Sequence, residues 1–295
     1  MNIFLTGANG WIGSAIAREL MAAGHSVTGL VRSPDKGAAL EAEGGNVLLG
    51  SLGDLDVLRR GAEAADGIIH TAFGIDFSRI RELAAEDALA IETFGDVVAG
   101  SSRPIVVTGG FMQMTGGKAM EADRPAVWSA FPRASEQTAF ALADRGIHAN
   151  VVRNPRSVHG KGETHGFVPM LAALAREKNV SAYIDEGANL WPAVHRLDSA
   201  RVYRLAVERG AIGEAYHAVA EEGVPYREIA EAIGRQIGVP TKSLTAEEAE
   251  AHFGPLAVWV GNDGPASSEW TQRTLGWSPE QAGIVADIEQ ADYSK

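Results

Sequence analysis

Short apolar runs alternate with stretches of helical periodicity along the first half of the chain. The run from Asn2 to Thr6 predicts a buried strand, and apolar residues at helical spacing after it, Ile12, Ile16 and Leu20, predict a helix. Further runs that predict strands are Ser26–Val31, Val47–Gly50, Gly67–Thr71, Ile105–Thr108 and Ile147–Val152. Helical patterns separate them at Asp54–Ala64, Phe77–Gly100 and Ala134–Arg145. This alternation predicts an α/β fold with a doubly wound parallel sheet and right-handed crossovers.

The alternation becomes less regular after Arg153. Helical patterns there are mixed with short apolar runs that predict strands; the helices are Val168–Glu177, Asp198–Glu208 and Arg227–Ile237, and the strands are Val180–Ile184 and Ala215–Val219. We therefore expect a core over residues 1–153 and a smaller mixed α/β region over residues 154–295. The second region should be interleaved with the last sheet elements and should lie at the C-terminal ends of the strands.

Three glycines, Gly7, Gly10 and Gly13, connect the first predicted strand to the first predicted helix. A strand, a tight glycine turn and a helix form the first βα unit of a dinucleotide-binding Rossmann fold. The second glycine lets the backbone approach a pyrophosphate, and the helix N-terminus offers free N–H groups. The alternative is a glycine turn that only reverses the chain. The phosphate-binding hypothesis covers Gly7, Asn9, Gly10, Trp11, Ile12 and Gly13.

The end of the second predicted strand bears on the choice of cofactor. NAD-binding proteins place an acidic residue there for the ribose hydroxyls. This chain has Arg32 and Ser33, with no acid before Asp35. Because a guanidinium matches a phosphate, we expect NADP(H). The alternative is that Arg32 is a solvated strand end and that Ser33 only caps the next helix.

The ends of the next strands should follow the cofactor. Asp54 and Leu55 come after the third strand, where Asp54 can cap the following helix and also lie beside the adenine. Thr71, Ala72 and Phe73 follow the fourth strand, where the chain passes the middle of the cofactor, and Thr108 ends the fifth. His70 is expected to be a packed histidine at a strand end rather than a catalytic group.

Composition narrows the choice of partners. The 295 residues, 45% of them hydrophobic, suffice for one large domain or two. The absence of cysteine excludes disulfides and thiolate chemistry. The net charge of −12 argues against nucleic-acid and anionic membrane partners. With no leader-like segment and no apolar run of about 18 residues, we expect a cytoplasmic protein with a small-molecule substrate. The sequence leaves a homodimer open.

Several segments together resemble one family. TGANGWIG resembles the TGxxGxxG fingerprint of the extended and atypical short-chain dehydrogenases/reductases, and four further segments match in order: GSLGDLDVL, VVRNPRSVHG, WPAVHRLDSA and RTLGWSP. The last two place His195, Asp198 and the LGWSP signature in register with the family. The resemblance implies a Rossmann fold that binds NAD(P). It also implies that Asn154, Pro155 and Arg156 lie against the nicotinamide.

The chain departs from this family at the catalytic residues. Members with the usual chemistry use Tyr-x-x-x-Lys, whose tyrosine exchanges a proton with the substrate oxygen. This chain has no tyrosine before Tyr183. Counting back from Arg153, with Glu136 as an anchor, puts Trp128 at the tyrosine position and Pro132 at the lysine position. An indole is only an N–H donor, so it cannot replace the tyrosine.

Other residues must then polarise the substrate and supply a proton, because the cofactor itself carries the hydride. Candidate catalytic residues are Thr108, Ser129, Arg133, Ser135 and His159, with water as a further proton source; Gly110 competes with Thr108 for the family's Ser/Thr position. Alternatively, residues 128–136 only start a helix, with Pro132 or Arg133 in its first turn. The leading hypothesis is an NADP(H)-dependent oxidoreductase for a small or apolar carbonyl or alcohol. The alternatives are a non-catalytic NADP(H)-binding sensor or partner protein, and a sugar-nucleotide epimerase or dehydratase.

Two loops have competing interpretations. Phe111 to Met120 is rich in methionine, which suits either an apolar substrate pocket or a connection packed on the core. Ser157 to Phe167 contains His159, Glu163 and His165. These could form a metal site, but a substrate lid is the preferred interpretation and no metal is expected.

Overall fold

Strands make up three sheets in this computed structural model, which describes residues 1–74, 76–111, 117–129 and 131–291. In chain order the strands are β1 (Asn2–Thr6), β2 (Ser26–Val31), β3 (Asn46–Leu49), β4 (Gly67–His70), β5 (Ile105–Gly110), β6 (Ala149–Asn154), β7 (Ser157–His159), β8 (Ser181–Ile184), β9 (Leu190–His195), β10 (Ala215–His217), β11 (Glu221–Pro225) and β12 (Thr241–Leu244). The central sheet has seven parallel strands in the order β10-β6-β5-β4-β1-β2-β3. This confirms the predicted doubly wound α/β fold.

Helices alternate with the strands along the chain, and some of them cover both faces of the central sheet. They are α1 (Trp11–Ala22), α2 (Pro34–Ala42), α3 (Leu55–Glu63), α4 (Ile80–Val98), α5 (Ser135–Asp144), α6 (Phe167–Lys178), α7 (Arg196–Arg209), α8 (Tyr226–Ile237), α9 (Ala246–Phe253), α10 (Ala257–Val260), α11 (Glu269–Leu275) and α12 (Ile284–Gln290), with short 3-10 turns at Phe77–Arg79 and Gly254–Leu256. Within the described ranges, no helix is long and apolar enough to cross a membrane.

The sheet is buried between two apolar layers. On one face α1 and α7 pack together, with Ile16, Leu20 and Tyr203 in the core. On the other face α3, α4 and α5 bury residues such as Leu58 and Phe94. Because both faces are covered, most residues of the inner strands are apolar, which is why short apolar runs mark them in the sequence.

The structure corrects one strand assignment. Ala215–Val219 was expected among the substrate-side elements, but β10 joins the central sheet as its edge strand and pairs with β6, in the register Ala215 to Val151. Since β10 and the helix α7 both follow residue 153, the core of the protein draws on both parts of the chain. Two smaller sheets, β11-β9-β7 and β12-β8, pack with α6, α8 and α12 around Trp191 and Ile229.

Candidate active site

The glycine turn between β1 and α1 has the shape that a dinucleotide requires. Gly7 has a φ of +74°, and a Cβ there would lie 2.6 Å from the Thr71 hydroxyl. A Cβ on Gly13 would lie 2.0 Å from the Gly7 carbonyl oxygen, so this glycine fixes the packing of α1 on the turn. A Cβ on Gly10 would meet only that same oxygen, at 3.1 Å, and would otherwise point into open space. That space is where a pyrophosphate fits.

The N-terminus of α1 is also available to an anion. No side chain caps it, and its first turn contains no acidic residue. The free N–H groups and the positive end of the helix dipole therefore face the open side of Gly10. Asn9 is exposed on this turn and Ile12 is half-buried. Trp11 points elsewhere, because its indole N–H donates to the Val158 carbonyl at 2.6 Å.

The residues at the end of β2 leave a cation exposed. Arg32 is exposed, and no carboxylate pairs with it in the part of the chain that the structure describes. Ser33 precedes α2 but makes no side-chain cap to it. Its hydroxyl instead bonds the Asp35 carboxylate and holds the pKa of Asp35 below its usual value. The interpretation of Ser33 as only a helix cap is therefore wrong.

Asp54 also behaves differently from the expectation that its side chain caps α3. Its carboxylate accepts hydrogen bonds from the Ser51 backbone N–H at 2.7 Å and the Ser51 hydroxyl at 2.8 Å, and it makes none to the helix. The tight turn that ends in Asp54 directs the carboxylate back to Ser51. These bonds lower the pKa of Asp54. Leu55 follows as the first residue of α3.

The segment after β4 joins the glycine turn to a neighbouring cleft. The Thr71 hydroxyl donates to the Thr6 carbonyl at 2.8 Å, and the Ala72 N–H donates to the Thr6 hydroxyl at 3.3 Å. Phe73 lies under the Arg133 guanidinium, 4.3 Å from ring centre to Cζ. The predicted cofactor residues at the end of β4 therefore lie between the pyrophosphate cradle and Arg133.

A small open cleft lies at the end of β5, beside the segment after β4. Its lining residues are Thr108, Gly109, Gly110, Phe131, Arg133, Ser135, Glu136 and Gln137. Arg133 Nε donates to the Ser135 hydroxyl at 2.7 Å, and Nη2 donates to the Thr108 carbonyl at 3.1 Å. With Phe73 beneath it, the guanidinium is held in one orientation.

A buried network of hydrogen-bonded polar groups supports the Arg133 side chain. The Ser135 hydroxyl donates to Asp87 Oδ2 at 2.5 Å, Asp87 Oδ1 lies 3.0 Å from His70 Nε2, and His70 Nδ1 lies 2.8 Å from the Thr6 hydroxyl. Burial would raise the pKa of Asp87, but His70, Arg133 and Ser135 outweigh it and the pKa is lowered. Asp87 is therefore a carboxylate at neutral pH. His70 is a fully buried strand-end histidine, as predicted.

A second buried hydrogen-bond network includes the side chains of two predicted site residues, Thr108 and Asn154. The Thr108 hydroxyl donates to the His70 carbonyl at 2.9 Å and lies 2.8 Å from the Tyr203 hydroxyl, which also accepts from Asn154 at 2.7 Å. Burial raises the pKa of Tyr203 to about 12, so this tyrosine does not replace the missing catalytic one. The side chains of Thr108 and Asn154 are thus committed to a contact with α7.

The two residues used as sequence anchors, Glu136 and Arg153, form a buried ion pair at 2.5 Å. Arg153 also donates to His217 Nε2 at 2.9 Å. Burial and the charge of Arg153 lower the pKa of His217 to about 3, so His217 is neutral. This network ties α5 to β6 and β10, and it fixes the back wall of the cleft.

The positions of the missing catalytic pair lie beside the cleft. Trp128 is 37% exposed and contacts Trp259 edge-on at 5.9 Å. Ser129 is exposed. Pro132 and Arg133 precede α5, which begins at Ser135, so the expectation that either lies in its first turn is wrong.

The structure describes parts of both loops that have competing interpretations. Residues 112–116 of the methionine-rich loop lie outside the described residues, while Phe111 packs on His217 at 4.6 Å. His159 Nδ1 lies 2.6 Å from an oxygen of Asp287 on α12. In the described ranges no group of three or more His, Cys, Asp or Glu side chains could hold a metal ion. His165 is exposed and contacts Thr164.

Asp87 was missed by sequence reasoning, although the sequence contains a signal for it. It lies within the apolar stripe of α4, between Ala84 and Ile91 and two turns before Phe94. An acidic residue on the buried face of a helix must have partners, which marks it as a member of a polar network. Tyr203 occupies a similar position on the buried face of α7.

Comparison with known proteins agrees with this geometry. A family model described as NAD(P)H-binding matches residues 7–169. An uncharacterized protein of Schizosaccharomyces pombe is 44% identical over 299 residues, which span 99% of this chain and 100% of the relative. A 4-hydroxy-2-methyl-3-oxo-4-farnesyl-3,4-dihydroquinoline-1-oxide ketoreductase of Stigmatella aurantiaca is 28% identical, over 88% of this chain and 81% of its own length.

A solved structure extends the comparison to the whole fold. The dTDP-glucose 4,6-dehydratase DesIV of Streptomyces venezuelae, with NAD and TYD bound, superposes with a TM-score of 0.77 at 18% identity and covers 98% of this chain and 95% of its own. The fold and the glycine cradle thus define a protein of the NAD(P)-binding Rossmann class. The chain belongs to the NAD(P)H-binding family, whose model covers more than half of it, and its motifs resemble those of the extended and atypical short-chain dehydrogenases/reductases.

Proposed function

We propose that this protein is an NADP(H)-dependent oxidoreductase that interconverts a carbonyl group and an alcohol on a small or apolar substrate. The observation that carries the proposal is the Arg133 guanidinium, which is held in the cleft at the end of β5 by Ser135 and the Thr108 carbonyl. The cofactor cradle opens next to it. The related ketoreductase, whose named substrate carries a farnesyl group, supports a ketone on an apolar molecule.

Arg133 can take over the polarising role that the missing tyrosine plays in other members. The reduction adds a hydride to the carbonyl carbon and a proton to the carbonyl oxygen, and a bound nicotinamide supplies the hydride. Negative charge develops on the oxygen, where a fixed cation stabilises it. An arginine does not give up its proton near neutral pH, so we assign the proton to water in the open cleft.

Ser135 and Asp87 are positioning residues in this proposal. Ser135 accepts from Arg133 Nε and donates to Asp87, so it links the cation to a buried carboxylate. The negative charge of Asp87 offsets the cost of holding Arg133 out of water. Without this support the guanidinium would be free to turn away from the substrate oxygen.

NADP(H) rather than NAD(H) is the proposed cofactor, and Arg32 supports this choice. Its guanidinium is exposed at the end of β2 and has no carboxylate partner among the described residues. An unpaired cation at this position suits the 2′-phosphate that distinguishes NADP(H).

The experiment that tests the proposal measures NADPH consumption with a panel of aldehydes, ketones and quinones. We expect turnover of at least one apolar ketone, and we expect Arg133→Gln to lower kcat by about a hundredfold or more, as for loss of one oxyanion-stabilising group. Arg124→Gln is the matched control, because Arg124 also lies 4.3 Å over a phenylalanine ring, Phe140, but outside the cleft. Binding of NADPH without turnover of any substrate would overturn the proposal in favour of a sensor.

A further inference from the structure

Arg156 is a second cation near the cleft, and it has no acidic partner. It lies two residues beyond the end of β6. Its Nη1 donates to the Trp259 carbonyl at 2.9 Å, while its Nε is buried without a hydrogen-bond partner. No carboxylate of the described residues lies within ion-pair distance, and burial alone lowers the pKa of Arg156 to about 10. The side chain is therefore still charged at neutral pH.

The contrast with Arg153, three residues earlier, shows what is missing at Arg156. Arg153 is fully buried, and its charge is balanced by Glu136. A partly buried guanidinium without a counter-charge costs free energy, and at Arg156 no negative charge of the described chain offsets it. Arg156 keeps part of its surface exposed, so an anion from outside can reach it.

Aromatic side chains enclose Arg156 on the side of the smaller sheets. Its Cζ lies 4.9 Å from the ring centre of Trp191 and 5.7 Å from that of Trp259. Phe167 packs on both indoles, at 5.8 and 5.9 Å. Apolar walls around a cation exclude water, and this strengthens its attraction for an anion.

This aromatic box is continuous with the cleft that contains Arg133. Trp259 contacts Trp128 at 5.9 Å, and Trp128 forms a backbone bridge to Phe131, which lines the cleft. Exposed apolar residues lie on the same segments; they are Val127, Trp128, Met170 and Val258. A group of exposed apolar side chains beside a cleft is typical of a surface that an apolar ligand covers.

We infer that Arg156 binds the carboxylate of an apolar substrate whose carbonyl group lies at Arg133, so that the substrate class is an apolar oxo acid or hydroxy acid. This inference rests on the proposed function for the role of Arg133. A single carboxylate suits the site because one guanidinium balances one negative charge, whereas a diphosphate carries more. The planar fork of arginine also matches a carboxylate with two parallel hydrogen bonds.

Binding of simple probes tests Arg156 without any need for turnover. Phenylacetate, phenylacetamide and phenyl phosphate would be titrated by calorimetry and by tryptophan fluorescence, to which Trp191 and Trp259 contribute among six tryptophans. Phenylacetate should bind about tenfold tighter than phenylacetamide, in the range of one charge-assisted hydrogen bond. Arg156→Gln should remove that difference. Arg227→Gln is the matched control, because Arg227 lies over the Tyr183 ring at 5.5 Å but is exposed and paired with Glu231.

Each result has a defined meaning. Equal binding of phenylacetate and phenylacetamide would overturn the inference, and so would an unchanged preference for phenylacetate in Arg156→Gln. Tighter binding of phenyl phosphate than of phenylacetate would overturn the assignment of a carboxylate and indicate that the site binds a phosphate ester. If Arg156→Gln does not fold, Arg156→Lys keeps the charge without the planar fork, and it should weaken phenylacetate binding while leaving phenylacetamide unchanged. If the protein binds a carboxylate through Arg156 but turns over no substrate, the proposed reaction is wrong while the inference about Arg156 stands.

Discussion

The glycine turn between β1 and α1 and the cleft at the end of β5 are built from different parts of the chain. The cradle consists of backbone, since Gly7, Gly10 and Gly13 contribute space and N–H groups rather than side chains. The cleft consists of side chains from several elements, among them Arg133 before α5 and Asp87 on α4. A site of the first kind depends on a few glycines, while one of the second kind depends on every member of its network.

This difference accounts for a chain in which the glycine turn is intact, while the catalytic tyrosine of the family that it resembles is absent. We expect cofactor binding to tolerate most substitutions outside the glycine turn that spare Arg32, because the backbone would make most of the contacts. A side-chain network can instead be replaced as a unit, and here Arg133, Ser135 and Asp87 lie beside the position of the absent tyrosine. The following predictions would sharpen or break this comparison.

The largest effect is expected at Gly10. The Gly10→Val variant should fold and lose detectable NADPH binding, because the branched side chain would fill the space beside the helix N-terminus. Calorimetry with NADPH measures the loss, and circular dichroism checks the fold. Gly264→Val serves as the control, since a Cβ there would meet only the Asn262 amide, at 4.0 Å. Normal NADPH affinity in folded Gly10→Val would show that the cradle has another use.

Among the candidate catalytic residues, we expect Ser135, Thr108 and Ser129 to differ in a definite order. Ser135→Ala should lower kcat by about 10²-fold, since it frees the Arg133 guanidinium whose stabilising role has that magnitude. Thr108→Val should have a smaller effect on kcat and a larger one on stability, because its hydroxyl faces the sheet and Tyr203. Ser129→Ala should have the smallest effect. Steady-state kinetics at saturating NADPH gives the order. A reversed order would indicate that the catalytic group lies in the exposed loop that contains Ser129.

Arg32 should control cofactor choice with an effect of intermediate size. Arg32→Ala should cost about 1.5–3 kcal/mol of NADPH binding, the range for hydrogen bonds to a charged group, and little NADH binding. Parallel calorimetric titrations with both cofactors make the comparison. If the wild-type protein binds NADPH and NADH equally, the phosphate contact at Arg32 is wrong.

The smallest expected effect is on the free energy of unfolding at acidic pH. His217 has a pKa of about 3 in the folded protein, so it stays neutral while the unfolded chain takes up a proton as the pH falls through about 6.5. The free energy of unfolding should therefore decrease by about 2 kcal/mol between roughly pH 7 and pH 5 on account of this residue. His217→Gln keeps a donor and an acceptor without titrating in this range. Denaturant unfolding at both pH values should show a shallower decrease for the variant.

The parts of the fold that depend on neighbouring residues could be predicted from the sequence. β1 and β2 begin and end at the predicted residues, since continuous apolar runs flanked by turns are local signals. The assignment of Ala215–Val219 failed because its pairing with β6 joins segments far apart in sequence. No local pattern distinguishes a short strand of the central sheet from one in a smaller sheet.

The candidate site also has one part that the sequence predicts and another that it does not. The glycine turn was recognisable because its function depends on spacing along a single segment. The network around Arg133 joins Asp87, His70 and Thr6 across long sequence distances, so only the acidic residue in the apolar stripe of α4 could have pointed to it. Likewise, the sequence does not show that the Arg156 side chain lies beside Trp191 and Trp259.

The late position of β10 in the chain has a consequence for synthesis on the ribosome. The glycine turn emerges first, but α7, which covers α1, and β10, which covers the edge of β6, are made only after the smaller sheets have begun to emerge. Until then, the apolar face of α1 and the open edge of β6 are available to chaperones or to other nascent chains. Completion of the central sheet thus waits for Ala215–His217, which are made well after the glycine turn.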